Sequence, residues 1–128
     1  MVDQIIEFET AKTAKKKGFD IPWGVGNSRG VFDAYREDGK LGSCVLSDGL
    51  YDIQAPTQSL LQKWLREKHN ISISVEFKLD KHPILKYFTL VYNIKARHIQ
   101  HNRELKNTYE EALEVGLKEG LQLIQTNK

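Results

Sequence analysis

The sequence predicts an α+β fold over residues 1–128, a single domain with element order α-β-β-α-β-β-α and an antiparallel sheet covered by helices on one side. Three features carry that expectation. Ile71, Ile73, Val75, Phe77 and Leu79 alternate with Ser72, Ser74, Glu76 and Lys78, the period of a strand with one face to a core and one to water. Two segments, at about 57–69 and 108–124, carry apolar residues at helical spacing. Asp38-Gly39 sits between two short extended runs, as a hairpin turn requires. Hairpins with one polar face each are most simply joined antiparallel and roofed by helices.

The first helix is expected over residues 8–17, where Phe8, Ala11, Ala14 and the stem of Lys15 share a face. Gly18 follows where a left-handed residue ends a helix, which would let Phe19 fold back onto Ala14. Lys15, Lys16 and Lys17 then lie at the negative end of the helix dipole, a sufficient reason for a basic cluster without any ligand. Residues 20–30, DIPWGVGNSRG, read as a loop. Gly24, Gly26 and Gly30 superficially match a dinucleotide-binding loop, but the last interval is one residue too long and a helix precedes where a strand is needed. Residues 31–46 are expected to form a hairpin with Asp38-Gly39 as a two-residue turn, followed by a packed loop holding Leu50, Tyr51 and Ile53.

The second helix should start after Pro56 with Thr57 as its cap and end at His69 or Asn70. Leu60, Leu61, Trp64 and Leu65 form its apolar stripe, while Gln58, Gln62, Lys63, Arg66 and Glu67 are expected to point away. The alternating strand follows from Ile71, breaks at residues 80–83, and residues 84–96 return beside it as the second hairpin. Residues 97–107 are polar and are assigned to a loop or a frayed strand end. Thr108 and Glu111 have the spacing of a capping box at the start of the last helix. Tyr109, Leu113, Gly116, Leu117, Gly120, Leu121 and Ile124 line one of its faces, and Ala112, Gly116 and Gly120 make a small-residue row within it. Each interior glycine costs about 1 kcal/mol relative to alanine, so close approach to a sheet or a second helix is expected to offset it. Glu110, Glu111, Glu114, Lys118 and Glu119 exclude a membrane helix there.

Composition narrows the function classes. Nineteen Lys and Arg against seventeen Asp and Glu leave a formal charge of only +2, a weaker excess than phosphate-binding domains usually carry. Cys44 is the only cysteine, which excludes an internal disulfide and points to a reducing cytoplasm. Asp3 and Glu7 interrupt what would have to be a signal-peptide core, and no run approaches the roughly 18 apolar residues of a membrane span.

Catalytic and metal chemistry find little support. His98 and His101 would share a face only on a helix, and with His82 and Cys44 they do not make the two close ligand pairs of a structural zinc site. Cys44 lies in an expected strand, where a small apolar role suits it better than a nucleophilic one. Asp33, Glu37 and Asp38 gather around a turn, which collects acids for backbone reasons. No catalytic residue, metal ligand or cofactor is therefore assigned.

Nucleic-acid binding is the stronger competitor. Lys63, Arg66 and Lys68, with Gln58 and Gln62, could grip phosphates or read base edges from the helix at about 57–69. A winged helix-turn-helix would place a hairpin after such a helix, but it also needs another helix a short turn before it. Here about forty residues and a hairpin intervene.

Three passages, FETAKTAKKKGFD, APTQSLLQKWLREKHNI and TYEEALEVGLKEGLQLI, together resemble a family of short uncharacterised proteins of bacteriophages and of prophage regions in bacterial genomes. The resemblance covers the three helices, about half the chain, and implies an origin and a compartment without implying any activity or site residue. The expected function is that of a small cytoplasmic, phage-associated accessory or adaptor acting through contacts with another protein. A weak nucleic-acid-binding module is the alternative; no membrane partner is expected. The edge strands and the Gly116, Gly120 row have uses within one chain as well as between two, so the oligomeric state stays open.

Overall fold

A computed structural model describes residues 4–20, 32–44, 53–79 and 85–124. Residues 21–31, with Gly24, Gly26 and Gly30, residues 45–52, with Leu50 and Tyr51, and residues 80–84, with His82, lie outside the described residues. The fold is α+β, with antiparallel strand pairing throughout the described sheets. Two compact units follow one another along the chain, Met1–Thr57 and Gln58–Lys128.

In the first unit, α1 (Phe8–Lys16) buries Thr10, Ala11 and Ala14. It ends as its sequence anticipates: Gly18 takes φ +93° and the Phe19 amide donates to the Ala14 carbonyl at 2.9 Å. Phe19 is buried beside that turn. Strands β1 (Phe32–Tyr35) and β2 (Leu41–Cys44) pair from Phe32 opposite Cys44 to Tyr35 opposite Leu41. Their turn is wider than the expected two-residue form. The Gly39 amide donates to Arg36, the Arg36 amide to Lys40, and Gly39 is the one residue of the turn with positive φ. That is a turn followed by a left-handed glycine, whose bulge matches the strand twist. Asp38 serves this turn by accepting from the Lys40 amide at 3.0 Å. A short third strand, β3 (Ile53–Gln54), adds to the other side of β1, giving the order β2-β1-β3. Phe8 closes over this sheet, 5.4 Å from the Tyr35 ring, and the Tyr35 hydroxyl donates to the Ile6 carbonyl at 2.7 Å.

The second unit opens with α2 (Gln58–His69), ended by Asn70 at φ 57°, a left-handed conformation that asparagine tolerates. Strands β4 (Ile71–Leu79), β5 (Leu85–Asn93) and β6 (His98–Lys106) form a meander in spatial order. The polar segment at 97–107, expected as a loop or a frayed strand end, is thus largely a full strand. Its pairing with β5 runs from Asn93 opposite His98 to Tyr87 opposite Lys106, with an irregularity between Tyr87 and Thr89. Backbone hydrogen bonding to a neighbour holds a strand that its own side chains do not announce.

Helix α3 (Tyr109–Gln122) starts on Thr108, whose hydroxyl accepts from the Glu111 amide at 3.1 Å and donates to the Glu111 carboxylate. The helix lies on the face of the sheet that carries Ile71 and Ile73, and its glycine row explains how closely. A Cβ on Gly116 would fall 2.7 Å from Ile73 Cγ2 and 3.0 Å from Thr89 Cγ2. One on Gly120 would meet Ile73 Cδ1 at 3.1 Å and Leu65 Cδ1 at 3.2 Å. Both helices therefore converge on one face, and the glycines let α3 approach the strands and α2 together. Leu61, Leu65, Ile71, Val91, Leu117 and Leu121 fill this core.

Candidate functional site

The five side chains expected to make a nucleic-acid surface on α2 divide into two groups. Lys63, Arg66 and Lys68 are exposed, and none has an ion-pair partner among the described residues. Gln58 and Gln62 turn inward, against expectation. Gln58 is only 2% exposed, and its amide donates to the Glu110 carbonyl at 2.9 Å and to the Glu114 carboxylate at 3.0 Å. Gln62 donates to the Ile73 carbonyl at 2.8 Å. Both glutamines hold α2 to its neighbours, which leaves a surface able to attract phosphate but without the amides that would read bases. Gln58, Leu61 and Leu65 share one buried helical stripe, whereas Leu60 is exposed and Trp64 only half-buried. The ring of Trp64 stands edge-on to His69 at 4.6 Å, and partial burial of the imidazole lowers its pKa below the ordinary histidine value.

His98 and His101 belong to strand β6 and not to a helix, so the helical face on which they were expected to meet does not form. Among the described residues no group of three or more His, Cys, Asp or Glu is placed to hold a metal ion. Arg36 and Asp38 form an ion pair at 3.6 Å within the first hairpin, so this acid belongs to the turn.

A second surface emerges where the sequence predicted core. Of the alternating residues of β4, Ile71 and Ile73 are buried, Val75 is half-buried, and Phe77 and Leu79 are 65% and 66% exposed. The reason is the reach of α3. Its first residue, Tyr109, stands over Tyr87 with ring centroids 6.3 Å apart, and Tyr87 pairs with Phe77 across the strands. From that pair onward the hairpin continues past the start of the helix, leaving Phe77, Leu79 and Leu85 exposed on the face that elsewhere packs the core. Alternation specifies which face a side chain occupies but not whether anything covers it. A full-length alternating strand paired with a helix stripe starting only at Tyr109 was the signal that could have shown the overhang.

The same ribbon has a polar face and a free edge. Ser74 donates to the Glu76 carboxylate at 2.8 Å, and Lys78 lies directly opposite Lys86, whose ammonium is held by the Asn107 side chain. β4 is the outermost strand of its sheet, and residues 76–79 are all exposed. No described helix is long and apolar enough to cross a membrane.

No protein-family model, curated protein or solved structure matches this chain.

Proposed function

We propose that the protein is a small cytoplasmic, phage-associated accessory or adaptor that acts without catalysis, through contact with another protein. The observation that supports this reading is the uncovered apolar end of the β4–β5 ribbon, where Phe77 and Leu79 are 65% and 66% exposed beside exposed Leu85 and Tyr109. Contiguous apolar surface of this kind costs solubility and is characteristic of sites that another molecule covers. Its polar surroundings, with Glu76, Lys78 and Lys86 on the opposite face, suit a protein partner better than a lipid one. The test is quantitative capture from host-cell extract with the tagged wild-type chain and with a Phe77→Ser, Leu79→Ser variant. A defined partner retained by the first and lost by the second is expected; the same set of proteins on both would refute the reading.

A weak nucleic-acid-binding role is favoured by one observation, the exposed Lys63, Arg66 and Lys68 on α2, which have no ion-pair partner among the described residues. Three phosphate contacts would give a log–log salt slope of about −2.7 on duplex DNA. Titration of labelled duplex at several salt concentrations, with the Lys63→Glu, Arg66→Glu variant as control, separates this role from the first.

A further inference from the structure

We infer that the free edge of β4 pairs antiparallel with β4 of a second copy of this chain, about a two-fold axis at Phe77. The edge is blocked at one end and open at the other. The Gln62 amide occupies the Ile73 carbonyl, so α2 takes up the edge at that residue. In an antiparallel strand the N–H and C=O of one residue point to the same side and alternate along the chain. Val75, Phe77 and Leu79 therefore present theirs to the side on which Gln62 meets Ile73, beyond the reach of that contact. Residues 76–79 are exposed, and unprotected edges of this length are templates for strand addition.

Charge selects the register. A two-fold axis perpendicular to the sheet must pass between the two copies of one residue, so that each side chain meets a partner on its own face. With the axis at Phe77, Glu76 faces Lys78 of the second copy, Lys78 faces its Glu76, and Val75 faces its Leu79. Moving the axis one residue towards the amino end sets Glu76 against Glu76; moving it one residue the other way sets Lys78 against Lys78. Only the central register turns both charges into attractive pairs, and like charges directly opposite are destabilising. It also relieves a defect inside each copy. Lys78 lies directly across from Lys86 and has no ion-pair partner among the described residues, and Glu76 of the second copy would supply one. The pairing joins the two Phe77 side chains and the adjoining Leu79 side chains on one face, which covers apolar surface that each copy leaves open.

This inference rests on the protein-contact reading and names the partner at the same ribbon. The test uses sedimentation velocity on the full chain from low micromolar to near-millimolar concentration, with Glu76→Lys, Lys78→Glu, and an equimolar mixture of the two. The wild type is expected to shift from 14.7 kDa towards twice that mass as concentration rises. Each single variant is expected to self-associate at least about tenfold more weakly, because every pair across the axis becomes like-charged. The mixture is expected to associate again, since the all-lysine edge of one variant then meets the all-glutamate edge of the other; that recovery also shows that both variants are folded. A wild type that stays monomeric throughout, single variants that associate as the wild type does, or a mixture that stays monomeric would each overturn the inference. Because Phe77 and Leu79 are unchanged in these variants, such a result leaves capture of a foreign partner by the apolar face to its own experiment.

Discussion

Substituting Gly116 by alanine sets two effects of similar size against each other, and the geometry decides the winner. Alanine in a helix interior is favoured over glycine by about 1 kcal/mol. Against that, the new methyl would stand 2.7 Å from Ile73 Cγ2 and 3.0 Å from Thr89 Cγ2. Neither atom is the loose end of a flexible chain. Both belong to β-branched residues whose first torsion is stiff, on adjacent strands, and both residues are buried. Relief requires α3 to lift from the sheet, and overpacking of this kind costs about 1–3 kcal/mol. The expected net change is a destabilisation of roughly 1 kcal/mol. Gly120 provides the internal control. Its nearest neighbours, at 3.1 and 3.2 Å, are the terminal methyls of Ile73 and Leu65, which can yield by a few tenths of an ångström through side-chain rotation. Gly120→Ala is therefore expected to leave stability within about 0.5 kcal/mol of wild type or to raise it. Urea titration followed by far-UV circular dichroism measures both, the comparison resting on the midpoint at unchanged slope. The contact reasoning fails if Gly116→Ala is as stable as wild type, or if Gly120→Ala is the more damaging of the two.

Two further perturbations probe the second unit. Gln58→Leu removes a buried donor from the Glu110 carbonyl and the Glu114 carboxylate, and is expected to cost about 1–3 kcal/mol, with the Gln58→Leu, Glu114→Leu double variant losing less than the sum of the single changes; strict additivity in urea titrations would show that the two side chains do not cooperate. His69 has its pKa lowered by burial, so the folded state binds fewer protons than the unfolded state just below the ordinary histidine value. Stability should then fall as pH drops from above about 6.5 through the depressed value, and His69→Gln should lack that component of the slope; identical pH profiles between pH 5 and 8 would refute it.

Much of the local structure was legible in advance. Gly18 and Phe19 ended α1 in the anticipated manner because a left-handed residue after a helix is a local backbone requirement. Thr108 started α3 for an equally local reason, the unpaired amides of a first turn. The small-residue row was readable as a close approach because glycine in a helix interior needs a compensating contact. Features that depended on remote partners were less visible. Strand β6 carries few apolar residues and exists through its ladder with β5. Gln58 looked like a surface residue on a basic helix, yet its partner Glu114 lies 56 positions away.

The stretch from Ile71 to Leu79 draws the line most clearly. Its alternation determined a strand and assigned each side chain to a face, since that much follows from the two-residue period of the backbone. Whether a face is covered depends on where another element begins, and only the packed structure sets the start of α3 over Tyr87 and leaves Phe77 and Leu79 open. The sequence by itself thus determined the helices, most of the strands and, along β4, the face of each side chain. The tertiary structure decided which polar groups became internal ties and which apolar ones became surface, because burial is a property of pairs of elements and not of either one alone.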